Sequence, residues 1–271
     1  MLVAYQLHLC NEIGTIGCIS AVWGERVGMA GSLGPTDAVV EIRDRGSLSE
    51  IAAEWDCATI EFLTCATPWR TFRWRAGQFH YSGTYWCATN RDHVIYESRL
   101  ELARLLFADY DRTVTQVLAQ PFLLRARAKG RPRRHVPDYL LFTDGIPTVV
   151  DVKPADKLSV EKVRFTLDWT RELVEDRGWI YEVWTEPDDF SLRNLRFLAG
   201  FRNPDRFNDA LLKRIVQQSS SCESLGEVLD LDVGEPQARV RAAVLHLVWR
   251  QILAVDVSQP LTRSSHVVKG I

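Results

Sequence analysis

The sequence predicts an α/β fold, a mixed sheet flanked by helices and followed by a small helical domain. Three observations carry it. Leu102, Leu105 and Leu106 repeat at helical spacing within residues 97–108. Two apolar runs, 136–142 and 148–152, flank Thr143-Asp144-Gly145, a hairpin signature. Val160, Val163, Leu167 and Val174 then mark a second helix, with Ser159 as its expected N-cap and Gly178 as its stop, and a strand at 179–185 follows directly. With 271 residues, 46% of them apolar and 25% charged, the chain is long enough for one large domain or two small ones.

Residues 1–60 read as an unassigned N-terminal extension, small and β-rich or loosely ordered, because Gly14, Gly17, Gly24, Gly28, Gly31 and Gly34 separate short apolar runs. Between 69 and 86, aromatic residues (Trp69, Phe72, Trp74, Phe79, Tyr81, Tyr85, Trp86) alternate with Arg70, Arg73 and Arg75. That stretch fits a packed β-rich lead-in better than a base-stacking platform. The helix at 97–108 carries Glu97 and Glu101 one turn apart, and residues 114–124 read as a strand interrupted at Gln120-Pro121. Residues 61–190 are thus the expected α/β domain. Beyond Pro187 the segments 192–198, 206–218 and 238–255 look helical, broken by Ser219-Ser220-Ser221, by Gly226 and by Gly234-Glu235-Pro236, so residues 191–271 form the expected helical domain.

A formal net charge of −2 argues against a general polyanion coat and requires any nucleic-acid contact to be local. The six cysteines (Cys10, Cys18, Cys57, Cys65, Cys87, Cys222) show neither a C-x-x-C pair nor a disulfide pattern, which points to a reducing, cytoplasmic setting. The apolar N-terminal stretch contains Glu12 and lacks the basic lead of a signal peptide, and no run is long enough to cross a bilayer, so no membrane partner is expected.

The chemistry is expected on the hairpin. A two-residue loop at Asp144-Gly145 pairs Asp138 with Asp151 across the ladder and puts both on one face. Like charges so placed repel. A divalent cation would relieve that, and hard carboxylate oxygens suit Mg²⁺. Lys153, two residues after Asp151, falls on the same face. Pro147 raises the prospect of a bulge that shifts the register. Taken singly, each of these residues is more simply a solvated surface charge; the combination changes the odds. Immediately upstream, Arg125, Arg127, Lys129, Arg131, Arg133 and Arg134 put six cations into ten residues. A basic loop is usually only solvated, but adjacency to Asp138 favours contact with DNA phosphates. His135 could touch a phosphate or serve a structural hydrogen bond.

Pro137-Asp138 followed by Asp151-Val152-Lys153, with a helical glutamate upstream, resembles the PD-(D/E)xK nuclease superfamily. The wider strings Tyr96-Glu97-Ser98-Arg99-Leu100-Glu101-Leu102-Ala103, Gln120-Pro121-Phe122, His135-Val136-Pro137-Asp138-Tyr139 and Asp151-Val152-Lys153-Pro154-Ala155 resemble the TnsA family, endonuclease subunits of heteromeric transposases. The resemblance covers about residues 69–190, and the C-terminal helices more loosely. It implies a restriction-endonuclease-like mixed sheet and a winged-helix-like C-terminal domain. It also implies metal-dependent cleavage of double-stranded DNA at the 5′ ends of a transposon, alongside a DDE-type transposase and an ATPase regulator. Carried over, the metal ligands are Glu101 (Glu97 the runner-up), Asp138 and Asp151, the motif lysine is Lys153, and the cofactor is one or two Mg²⁺ ions, replaceable by Mn²⁺. The competing expectations are a restriction or repair nuclease of the same fold, and a non-catalytic DNA-binding or assembly module.

Overall fold

The computed structural model describes residues 35–70 and 81–270. The glycine-rich stretch through Gly34, with Cys10 and Cys18, lies outside the described residues, as do Phe72, Arg73, Trp74, Arg75 and Phe79 of the aromatic lead-in.

The architecture is mixed α/β. An outer antiparallel sheet runs β2 (Glu50–Glu54), β1 (Thr36–Asp44), β7 (Leu123–Ala128), β8 (Arg131–His135), with the two-residue β3 (Ala66–Thr67) pairing β1 beside the short helix α1 (Ile60–Thr64). A central sheet runs β6 (Val114–Ala119), β9 (Tyr139–Thr143), β10 (Ile146–Val152), β11 (Ile180–Trp184). Its first three strands are antiparallel neighbours, and β10 and β11 are parallel, joined by the crossover helix α3 (Glu161–Asp176). Before β6 come the hairpin β4 (Gly83–Cys87)–β5 (Asp92–Tyr96) and helix α2 (Arg99–Tyr110). After β11 come α4 (Asp189–Leu198), α5 (Asp209–Gln218), α6 (Leu225–Leu229) and α7 (Gln237–Trp249), then the small ladder β12 (Leu253–Ala254)–β13 (Val268–Lys269). No helix among the described residues is long and apolar enough to cross a membrane.

Local chemistry explains the boundaries. Ser98 caps α2 by accepting from the Glu101 amide, while the Glu101 carboxylate accepts from the Glu97 amide and the Ser98 hydroxyl, a variant of the capping box. Helix α3 ends in a Schellman motif as expected: Gly178 sits at φ 74°, its N–H reaches the Glu175 carbonyl, and the Trp179 N–H reaches that of Val174. Its start differs from expectation. Ser159 caps nothing and donates to the Asp156 carbonyl, and the helix begins at Glu161, whose charge suits the N-terminal dipole.

Asp144 and Gly145, at φ 49° and 79°, form a tight turn with both central residues left-handed, and β9 and β10 pair from Thr143↔Ile146 to Tyr139↔Val150. That is the expected register, and it passes Pro147 without a bulge. The basic run is no loop: Lys129 and Gly130, at φ 49° and 70°, make a second turn of this kind, and β7 and β8 form a regular hairpin. Part of the segment expected to be an unassigned extension also belongs to the fold, since β1 lies between β2 and β7.

The central sheet is covered on both faces, which is why its strands read as continuous apolar runs. One face carries Leu118, Leu140, Phe142, Val149 and Tyr181, packed with Val40, Ile42 and Leu124 of the outer sheet and with Leu167, Trp169 and Val174 of α3. The other carries Val117, Leu141 and Val150, packed with Leu105 and Leu106 of α2. Leu195, Leu198, Ile215, Val240, Val244 and Leu247 of the C-terminal helices belong to this same second cluster. Each such leucine contributes about 1.5–3 kcal/mol relative to an exposed one.

Candidate functional site

The site lies where β9 and β10 part. Their ladder ends at Tyr139↔Val150, and one step further the Asp138 N–H turns to the Val150 carbonyl. The Val152 N–H, which would have bonded a strand backbone, instead donates to Asp138 Oδ2 at 2.7 Å. Asp138 and Asp151 are therefore not a simple opposed pair. Lys153 Nζ stands with both, 2.9 Å from Asp138 Oδ2 and 3.6 Å from Asp151 Oδ1, and also donates to the Val152 carbonyl. The repulsion expected between the aspartates is met inside the chain by a lysine.

The two aspartates differ. Asp151 is fully buried and accepts from the Tyr181 hydroxyl at 2.5 Å, while His135 Nε2 lies 2.8 Å from each of its oxygens. Burial alone would oppose its ionisation, but His135, Lys153 and Tyr181 together hold its carboxyl below the ordinary range. Asp138, partly open to solvent, is raised by burial against the pull of Lys153. Lys153 is half-buried, which favours the neutral amine, yet the facing charges of Asp138 and Asp151 raise it and keep it an ammonium.

Glu101 approaches from α2 on the other side of the sheet. Burial, and then the charge of Asp138, push its carboxyl up to about 7. Glu97, the alternative, is instead ion-paired with Arg70 at 2.9 Å. Among the described residues, no three of His, Cys, Asp and Glu form a ready-made metal cage. The donor set nonetheless suits a hard cation: three carboxylates, of which Asp138 interacts with both others and, like Glu101, is pushed toward neutrality, with one ammonium beside them. Glu101, Asp138 and Asp151 would hold it.

The structure divides the six basic candidates. Arg125 and Arg134 are cross-strand partners on the outer face, with Arg127 beside them opposite Pro132. Arg125 is also ion-paired with Glu41 at 2.6 Å. Lys129 and Arg133 fold back over the Phe165 ring of α3, 5.0 and 4.9 Å from its centroid, and Arg131 sits at the turn opposite Ala128. The outward trio is therefore Arg125, Arg127 and Arg134.

His135 takes the structural hydrogen bond rather than a phosphate contact. Tyr181 escaped the sequence reading altogether, since a tyrosine in a predicted strand is an ordinary core residue. The one signal that could have found it is the helix between β10 and this strand, a crossover that makes the two parallel neighbours and sets Tyr181 opposite Val149.

No protein-family model matches the chain, and no curated protein matches it.

Proposed function

We propose that the chain is a divalent-metal-dependent DNA endonuclease of the PD-(D/E)xK type, and that it acts as a TnsA-like subunit at transposon ends. The observation that carries the reading is the meeting of Asp138, Asp151 and Lys153 at the point where the hairpin splays, with Glu101 within electrostatic reach. A central sheet in the order β6-β9-β10-β11, with α2 before it and α3 as its parallel crossover, supports a restriction-endonuclease-like arrangement.

A bound Mg²⁺ or Mn²⁺ would supply Lewis acidity and a more acidic water for attack on a phosphodiester. The residues do the rest. Asp138 and Asp151 would hold the cation, with Glu101 as the third carboxylate toward it. The Lys153 ammonium, kept charged by its neighbours, orients the attacking water or offsets charge gathering on the scissile phosphate. Arg125, Arg127 and Arg134 seat the backbone of double-stranded DNA without reading its sequence.

The test is nicking of supercoiled plasmid by the full chain in Mg²⁺ or Mn²⁺ against chelator, alone and with a DDE-type transposase and its ATPase regulator. Metal-dependent nicking, lost in Asp138→Ala with the fold intact, is expected. Nicking that persists in chelator or in Asp138→Ala ends the reading. Nicking that needs no partner and ignores transposon ends favours a restriction or repair nuclease.

A further inference from the structure

We infer that His135 and Tyr181 are positioning residues for Asp151, and that through His135 the basic hairpin is built into the site. This rests on the nuclease reading above. An aspartate side chain has two freely chosen torsions, and a ligand that swings wastes the geometry a metal needs. Asp151 cannot swing. Tyr181 Oη fixes one oxygen from β11, and His135 Nε2 straddles both from the end of β8. Facing a carboxylate, that nitrogen must be the N–H donor. Each donor is itself held by α3: the Trp169 ring meets His135 edge-on at 6.3 Å, and the Arg171 guanidinium lies 5.2 Å over the Tyr181 ring. The remaining capacity of Asp151 faces Lys153, whose Nζ stands 3.6 Å from Oδ1.

His135 closes the hairpin that carries Arg125, Arg127 and Arg134. The strand that would seat the phosphates thus also sets the carboxylate that would receive the cation.

The experiment uses the full chain as wild type, Tyr181→Phe, His135→Ala and His135→Gln, whose amide nitrogen falls near the place of Nε2. Two quantities are read: the shift of melting temperature on adding Mn²⁺, and kcat and KM for plasmid nicking at fixed Mn²⁺. Tyr181→Phe and His135→Ala should each lower kcat by about 10- to 100-fold and shrink the Mn²⁺ shift, with KM for DNA unchanged. His135→Gln should recover much of both. Wild-type kcat and Mn²⁺ shift in Tyr181→Phe overturn the inference, as does a His135→Gln no better than His135→Ala, which would mark His135 as packing only. Tyr181→Phe changes a single oxygen and keeps the test decisive if His135→Ala fails to fold. A wild type with neither Mn²⁺ shift nor nicking overturns the nuclease reading and this inference with it, whereas a responsive wild type with indifferent variants overturns the inference alone.

Discussion

Glu101 serves two masters, as a candidate ligand and as the acceptor that closes the first turn of α2. Glu101→Ala should therefore lose both cleavage and about 1 kcal/mol of stability. Glu101→Gln, which keeps an acceptor for the Glu97 amide, should lose cleavage with a melting temperature near wild type; an active Glu101→Gln would remove Glu101 from the ligand set. Lys153→Met tests the internal counter-ion. It leaves Asp138 and Asp151 facing each other without their shared cation, so the protein in chelator should lose roughly 1–3 kcal/mol. Added Mg²⁺ should then restore more stability than it gives the wild type, and equal gains would mean that the cation does not bind between these carboxylates. Far from the site, buried His246 donates from Nδ1 to the Phe201 carbonyl and stacks on Phe207, and burial holds it below the ordinary imidazole range. The unfolded chain takes up this proton near pH 6.5 and the folded chain only at lower pH. Stability should therefore fall as pH drops through about 6.5, with no contribution from this group above 7. His246→Asn should flatten that acid limb in denaturant titrations. Of these residues, Asp138, Asp151 and Lys153 were singled out by motif spacing and do meet in space, Glu101 was singled out only by the resemblance of the string around it, and His246 is one apolar-helix histidine among six in the chain and carries no such signal.

Elements were legible where their signals are local. The Asp144-Gly145 turn set the register of β9 and β10 because that turn type fixes the first pair of the ladder. It could not reveal that the ladder stops at Tyr139↔Val150, since that depends on Lys153 and the Val152 amide turning to Asp138. Lys129-Gly130 carries a similar signal, with alternating Leu124, Ala126 and Ala128 before it, but the density of charge made the run look like a loop. β1 has a local partner in β2, but its place in the outer sheet was out of reach because its other partner β7 lies some eighty residues away in the chain. Beside the packing of Tyr85, Cys87 and Val94, one side chain of α2 gathers the hydrogen bonds of the hairpin β4–β5. Asp109 is buried and accepts from the Tyr85 hydroxyl, the Cys87 thiol, both Thr89 donors and the Ala88 amide. Burial pushes that thiol up to about 12, so it acts here as a neutral donor. Asp109→Ala strands several of these donors at once and should cost at least about 3 kcal/mol. Hydrogen exchange should quicken in 83–96 before it does in β10, and uniform exchange would mean that the hairpin is held by packing instead.

At the scale of the molecule, the C-terminal helices share one apolar cluster with α2 and a face of the central sheet. A chain ending at residue 190 would strip this cluster of Leu195, Leu198, Ile215, Val244 and Leu247 and take Trp249 away from Tyr110, so it should be insoluble or molten; a soluble, cooperatively melting fragment would show that the face can close without the helices. Composition alone could not disclose this, because an amphipathic helix does not say which surface it covers. The outer sheet carries a different consequence. Nothing among the described residues pairs with the far side of β8. In a two-residue hairpin Ala128 and Arg131 form the first bonded pair, so by alternation Pro132 turns its missing N–H outward, where a stranger strand would dock. Crowded with cations and lacking that donor, this rim is ill suited to edge-to-edge pairing with a second copy.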